Sequence, residues 1–165
     1  MSRAFAALRA LVYMSGFIAL WGWLAVMARD AGRDWPVVLP AWASPFGIVL
    51  MVLGGLIVLA CGAVFVLVGR GTPLPLDAPR ELVPVGPYRF VRNPMYVGAF
   101  LVLLGYGLIE RSLAVWALAF GGWLLAHLLV VFREEPVLEE RFGESYRRYK
   151  RSVGRWVPGW RRTGD

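Results

Sequence analysis

The apolar residues of this chain gather in four runs. They cover 10–28 (ALVYMSGFIALWGWLAVMA), 46–69 (FGIVLMVLGGLIVLACGAVFVLVG), 95–109 (MYVGAFLVLLGYGLI) and 112–132 (SLAVWALAFGGWLLAHLLVVF). About 20 apolar residues in helix cross ~30 Å of hydrocarbon. The first, second and fourth runs reach that length, and the third is short. Beyond Pro136 the pattern changes. Leu138, Phe142, Tyr146, Tyr149 and Val153 recur at steps of four, four, three and four, the spacing of one helix face. The glutamates and arginines between them fall mainly elsewhere. The pattern predicts an all-α, polytopic membrane protein: about four transmembrane helices, then an amphipathic helix over 137–153 lying at the interface. Residues 1–69 read as an N-terminal transmembrane hairpin that anchors the chain. Residues 70–165 hold nearly all the polar signatures and read as the catalytic part.

Composition agrees with this reading. Of the 165 residues, 58% are hydrophobic, too many for an ordinary soluble domain. The first run is long, rich in tryptophan and followed by no clean A-x-A site, so it is expected to be a retained anchor rather than a cleaved signal. Positive charge sets the orientation. Arg70, Arg80, Arg89 and Arg92 lie between the second and third runs, and nine more basic residues follow from Arg133 to Arg162. The 29–45 loop has only Arg29 and Arg33, and the 110–111 turn only Arg111. Four spans with both termini in the cytoplasm satisfy this bias. The net charge of +7 then belongs mostly to one membrane face. It points to anionic headgroups and away from nucleic acid, because the bases are spread along membrane-flanking segments. A lone cysteine, Cys61, and a single histidine, His127, make no metal site. Cys61 reads as packing.

The short third run carries the candidate chemistry. From Pro94 to Ile109 the helix rises only about 22 Å. With Glu110 and Arg111 at the far surface, Asn93 and Pro94 lie below the near one. The fourth run returns antiparallel, with Ser112 as its expected N-cap. Equal rises put His127 level with Met95 and Glu134 two turns nearer the cytoplasm. Seven residues apart, those two share a face to within roughly 20°. Arg89, Arg92, Asn93, Tyr96, His127, Glu134 and Glu135 can then converge on a recessed pocket. Ionisable groups near membrane depth are costly and usually mark function. The plainer alternative is an Arg92–Glu134 pair that closes the hairpin. Gly105-Tyr106-Gly107 follows no strand, so it is no dinucleotide fingerprint. Gly98 and Gly105 share a face that can admit a flat ligand or, more commonly, a neighbouring helix.

Two motifs, GPYRFVRNPMYVG at 86–98 and REEPVLEERFGESYRRY at 133–149, occur in that order about a hairpin apart. Over residues 83–158 the chain resembles the membrane methyltransferases that include isoprenylcysteine carboxyl methyltransferases and phospholipid N-methyltransferases. The resemblance implies S-adenosylmethionine as methyl donor, held in a cytoplasm-facing pocket. It implies that Tyr88, Arg92, Asn93, Tyr96 and Gly98 belong to the first cofactor motif. By the same resemblance Gly105 and Gly107 match the GxG of the phospholipid branch, and Glu134 and Glu135 its paired acids. Phe142, Gly143, Tyr146, Tyr149 and Arg151 match the part that closes the site. Many members have histidine where this chain has Asn93. Asparagine still donates a hydrogen bond but carries no charge; His127 is a candidate to supply the imidazole.

These residues suit the donor. Arg92 can clamp its carboxylate, and Glu134 or Glu135 can accept from its amine or ribose hydroxyls. Aromatic faces favour its sulfonium. Glu134 or Glu135 can take a proton from an amine acceptor, whereas Arg151 can hold a carboxylate acceptor. The acceptor is expected to be a lipid or isoprenoid-type molecule entering from the bilayer; its reacting group is open. Two other readings are an NADPH-dependent, sterol-reductase-like membrane enzyme and a non-catalytic membrane scaffold.

Overall fold

The computed structural model describes residues 3–67 and 85–159. Most of the proline-rich 71–87 loop, and Trp160, lie outside the described residues. The four apolar runs form helices α1 (Arg3–Ala31), α2 (Ala43–Leu67), α3 (Pro94–Glu110) and α4 (Leu113–Leu129). A π-turn over Val130–Glu134 joins α4 to α5 (Glu135–Phe142), and α6 (Glu144–Ser152) follows. Three stretches are long and apolar enough to cross a membrane: Leu11–Ala31, Ala43–Val64 and the continuous Leu113–Phe142. The apolar helix Pro94–Glu110 is shorter, as its run predicts. The architecture is all-α; among the described residues β-pairing is limited to two isolated bridges.

The two hairpins meet at one end of the bundle. Ser112 caps α4, its hydroxyl accepting from the Val115 N–H at 3.3 Å. Arg111 turns the chain in a left-handed conformation (φ 51°), and its carbonyl accepts from the Val37 N–H at 3.0 Å. Helices α2 and α3 share a seam of small residues. A Cβ on Gly54 would sit 2.5 Å from the Gly98 carbonyl oxygen, and one on Gly47 2.6 Å from that of Gly105. Bare glycine on both sides lets the backbones touch, the close approach membrane helices use in place of a hydrophobic drive. Cys61 is fully buried, as its apolar run suggests.

At the other end the expected single helix over 137–153 is two. Gly143 breaks it with φ 53°, a conformation that suits glycine and stops the ladder. The chain also passes Pro136 without leaving the membrane-spanning helix. In a plain α-helix the proline ring would strike the carbonyl of Phe132. The π-turn, closed by the Glu135 N–H on the Val130 carbonyl, inserts one residue and relieves that clash. It also shifts everything beyond it by about one residue's rotation, roughly 100°.

Candidate active site at the polar end of the bundle

Three segments converge where the short α3 begins. They are residues 88–96, the π-turn with the start of α5, and the strap 153–156 that leaves α6. The strap is pinned along the first segment. Arg92 N–H donates to the Gly154 carbonyl at 2.8 Å, and Asn93 Nδ2 donates to the Arg155 carbonyl at 3.3 Å. Below it, the Tyr149 hydroxyl donates to the Tyr88 carbonyl at 2.6 Å. Successive strap residues then reach separate targets on α4 and α5.

Arg155 closes a fork on Glu135, with Nε to Oε1 at 2.7 Å and Nη2 to Oε2 at 3.0 Å. Arg92 Nη1 donates to the same Oε1 at 2.9 Å, and Lys150 Nζ lies 3.7 Å from Oε2. The Arg92 and Glu135 side chains are 9% and 8% exposed, so this is a buried ion cluster. The hydrogen bonds it donates to Glu135 hold the Arg155 guanidinium above its ordinary pKa. Tyr146, packed beside Arg92, has its phenol pushed up to about 12 by burial. Arg92 Nε is buried with no hydrogen-bond partner among the described residues.

Glu134 points elsewhere: it accepts from the Tyr96 hydroxyl at 2.5 Å. Trp156 stacks beside Trp123 (ring centroids 4.4 Å apart) and edge-on to Tyr96 (6.3 Å). Its indole N–H donates to His127 Nδ1 at 3.1 Å, leaving Nε2 to carry that ring's proton. Beyond Tyr96 and Trp123 lies an apolar cavity of about 270 Å³ between α1, α3 and α4.

The structure thus brings Arg92, Asn93, Tyr96, His127, Glu134 and Glu135 to one place and puts Tyr88 at its edge. It redistributes several expected roles. Arg92 pairs with Glu135, not with Glu134. A π-turn lies between His127 and Glu134, so the plain-helix count that set them within 20° of each other does not apply. Asn93 spends its donor on the strap backbone rather than on a carboxylate. Arg151 is not at the site: it is 65% exposed and pairs with Glu144 at 2.7 Å on the surface. Gly98 and Gly105 face α2, and Gly107 makes room for the Trp116 ring, so all three serve packing. Trp156, where an interfacial anchor would be expected of a tryptophan just past an amphipathic helix, sits half-buried in the cluster. Arg155 and Trp123 were not singled out by the sequence reading. Their only sequence signal is position, one just beyond the matched motif and one a helical turn before His127.

Residues 42–145 match the phospholipid methyltransferase family, which is 63% of the chain. The chain belongs to that family of membrane methyltransferases. The match starts inside the stretch that reads as an N-terminal anchor and takes in α2. An uncharacterized protein of Haemophilus influenzae is 36% identical over 63 residues, covering 38% of this chain and all of that protein. The methanethiol S-methyltransferase of Pseudomonas deceptionensis is 33% identical over 100 residues. That alignment covers 56% of this chain but only 37% of the relative, so this family member spans well under half of that protein.

Proposed function

We propose that this family member transfers a methyl group from S-adenosylmethionine to an apolar acceptor that enters from the bilayer. The donor would occupy the polar cluster, and the acceptor the apolar cavity beside it. One observation carries the reading: Tyr96 belongs to both, its ring lining the cavity and its hydroxyl held by Glu134. The relative named methanethiol S-methyltransferase supports transfer to an acceptor outside the phospholipids.

The residues present fit the donor. Arg92 has a buried, unpartnered Nε–H and can offer it to a carboxylate. The faces of Tyr96, Trp123 and Trp156 suit a sulfonium. Glu134 holds a hydrogen bond to a neutral hydroxyl and remains available to accept another. When bound, S-adenosylmethionine supplies an electrophilic methyl group. The chain's own work is then alignment and the exclusion of water, plus removal of a proton where the acceptor carries one. Trp156 and Trp123 form a wall against solvent, Arg92 and Arg155 with Glu135 keep that wall in place, and Glu134 takes the proton. The basic residues cluster at this end, which argues for a cytoplasmic site with both termini on that side. A bacterial inner membrane remains the location that this reading implies.

Calorimetric titration of S-adenosylmethionine, and separately of NADPH, into the detergent-purified protein tests the donor. Micromolar binding of the first alone is expected. Trp156→Ala should weaken it about 3- to 30-fold, the range for loss of one desolvated cation–π contact. Binding of NADPH, or of neither by folded protein, would overturn the reading.

A further inference from the structure

We infer that Trp21 is the floor of the apolar cavity and limits the acceptor to a single tail of about eight bonds; this rests on the acceptor's place proposed above. Measured from the polar end, the deepest lining residues are Trp21 on α1, Leu103 on α3 and Ala119 on α4. All three belong to one packed cluster. Leu103 and Ala119 are buried, and so is Ala25, one helical turn beyond Trp21. Trp21 is the largest of the group and closes the gap between α1 and α4. A Cβ on Gly122 would stand 2.6 Å from its Cη2, so the bare glycine lets the indole reach across. Phe17, one turn above, meets the indole with ring centroids 6.0 Å apart.

The depth above this floor follows from the register of the three walls. Met14 to Trp21, Tyr96 to Leu103 and Ala126 to Ala119 are each seven residues, so each wall rises about 10 Å. An extended chain covers ~1.2 Å per bond, so about eight bonds fill that depth. At about 270 Å³ the cavity lies just below ordinary ligand cavities of about 300–1,000 Å³, which suits one short chain and not a two-tailed lipid.

Entry is at the upper end. Tyr13 on α1 and Leu125 on α4 line the cavity and are also exposed, so its mouth opens between those helices near the level of Tyr96. An acceptor with its reacting group at Tyr96 then sends its tail down toward Trp21. A shorter tail leaves the floor without contacts. A longer one must displace packed side chains. The floor thus selects by length, whatever group stands at Tyr96.

The full chain in phosphatidylcholine vesicles, irradiated with 1-alkanols that carry a terminal diazirine, provides the test. The probes are the butanol, octanol, dodecanol and hexadecanol analogues. Label in the peptides that hold Phe17 and Leu103 is divided by label on Leu56 and Leu59, exposed on α2, which removes partition into the bilayer. Binding of S-adenosylmethionine is titrated in parallel. The ratio in wild type should be at least fivefold higher for octanol than for butanol or hexadecanol. Trp21→Ala should move the maximum to dodecanol. Ala99→Leu, which fills the cavity one turn below Tyr96, should move it to butanol, and it reads the depth even if Trp21→Ala does not fold. A ratio that rises steadily with length, or a maximum that neither variant moves, overturns the floor; with donor binding intact it leaves the donor site standing. The expected maximum in folded protein that binds no donor overturns the reading beneath and, with it, the claim that the tail belongs to a methyl acceptor.

Discussion

Replacing Glu135 by glutamine should damage the fold more than almost any other single change at the polar end. The isosteric amide keeps the volume and removes the charge. Three cations then lose their common partner, but not equally. Arg155 and Lys150 are 31% and 32% exposed and can turn to water, so each loses about 1 kcal/mol or less. Arg92 is 9% exposed and cannot. A buried guanidinium without its counter-ion costs about 3–5 kcal/mol. With the two smaller terms the expected loss is about 3–7 kcal/mol, or a melting temperature lower by about 6–28 °C at 2–4 °C per kcal/mol. Removing both charges together, in Arg92→Met with Glu135→Leu, should cost much less than the two single changes summed. Thermal unfolding in detergent, followed by near-ultraviolet circular dichroism, reads wild type, Glu135→Gln, the two single changes and the double. A Glu135→Gln loss under about 1 kcal/mol, or additive single and double changes, would refute the reasoning that Arg92 depends on this carboxylate.

Glu134→Gln should do the opposite: melting within about 1 kcal/mol of wild type, because an amide oxygen still accepts from Tyr96, and labelled methyl transfer slower by about 100- to 10,000-fold. Gly54→Ala, whose Cβ would meet the Gly98 carbonyl oxygen, should cost about 1–3 kcal/mol by the same unfolding assay. Gly55→Ala, with nothing within 4 Å of its Cβ, should be neutral or stabilising by up to about 1 kcal/mol. Arg151→Ala should leave melting and methyl transfer unchanged within about 0.5 kcal/mol, whereas Arg155→Ala should lower both. Tyr146 binds its proton more tightly folded than unfolded, with a pKa raised from 10.0 to about 12. Its contribution to stability is full below pH 10 and falls as pH rises toward 12; an ultraviolet phenolate titration of wild type against Tyr146→Phe checks the order.

Much of the fold was legible because hydrocarbon length and run length are the same measurement. The four runs, the short third helix and the Ser112 cap follow from it. The polar end was half legible. Arg92, Asn93, Tyr96, His127 and both glutamates do meet there, but their pairing was hidden by the π-turn. A one-residue insertion in the hydrogen-bond ladder leaves no trace in hydropathy, yet it turns Glu134 to Tyr96 and Glu135 to Arg92. Pro136 was the available hint, since a proline inside a continuing helix needs some such relief. Arg151 and Arg155 are one helical turn apart in sequence. The chain leaves helix after Ser152, so only the second turns inward. Gly98, Gly105 and Gly107 show why glycine spacing alone does not separate a ligand from a neighbouring helix.

On the proposed function, the methyl donor sits between the start of α3, the π-turn and the 153–156 strap. Direct ultraviolet crosslinking of methyl-labelled S-adenosylmethionine to the purified protein, followed by peptide mapping, locates it. Label in peptides containing Tyr96, Trp123 or Trp156, displaced by unlabelled donor, is the predicted result. Displaceable label confined to α1 and α2 would contradict it.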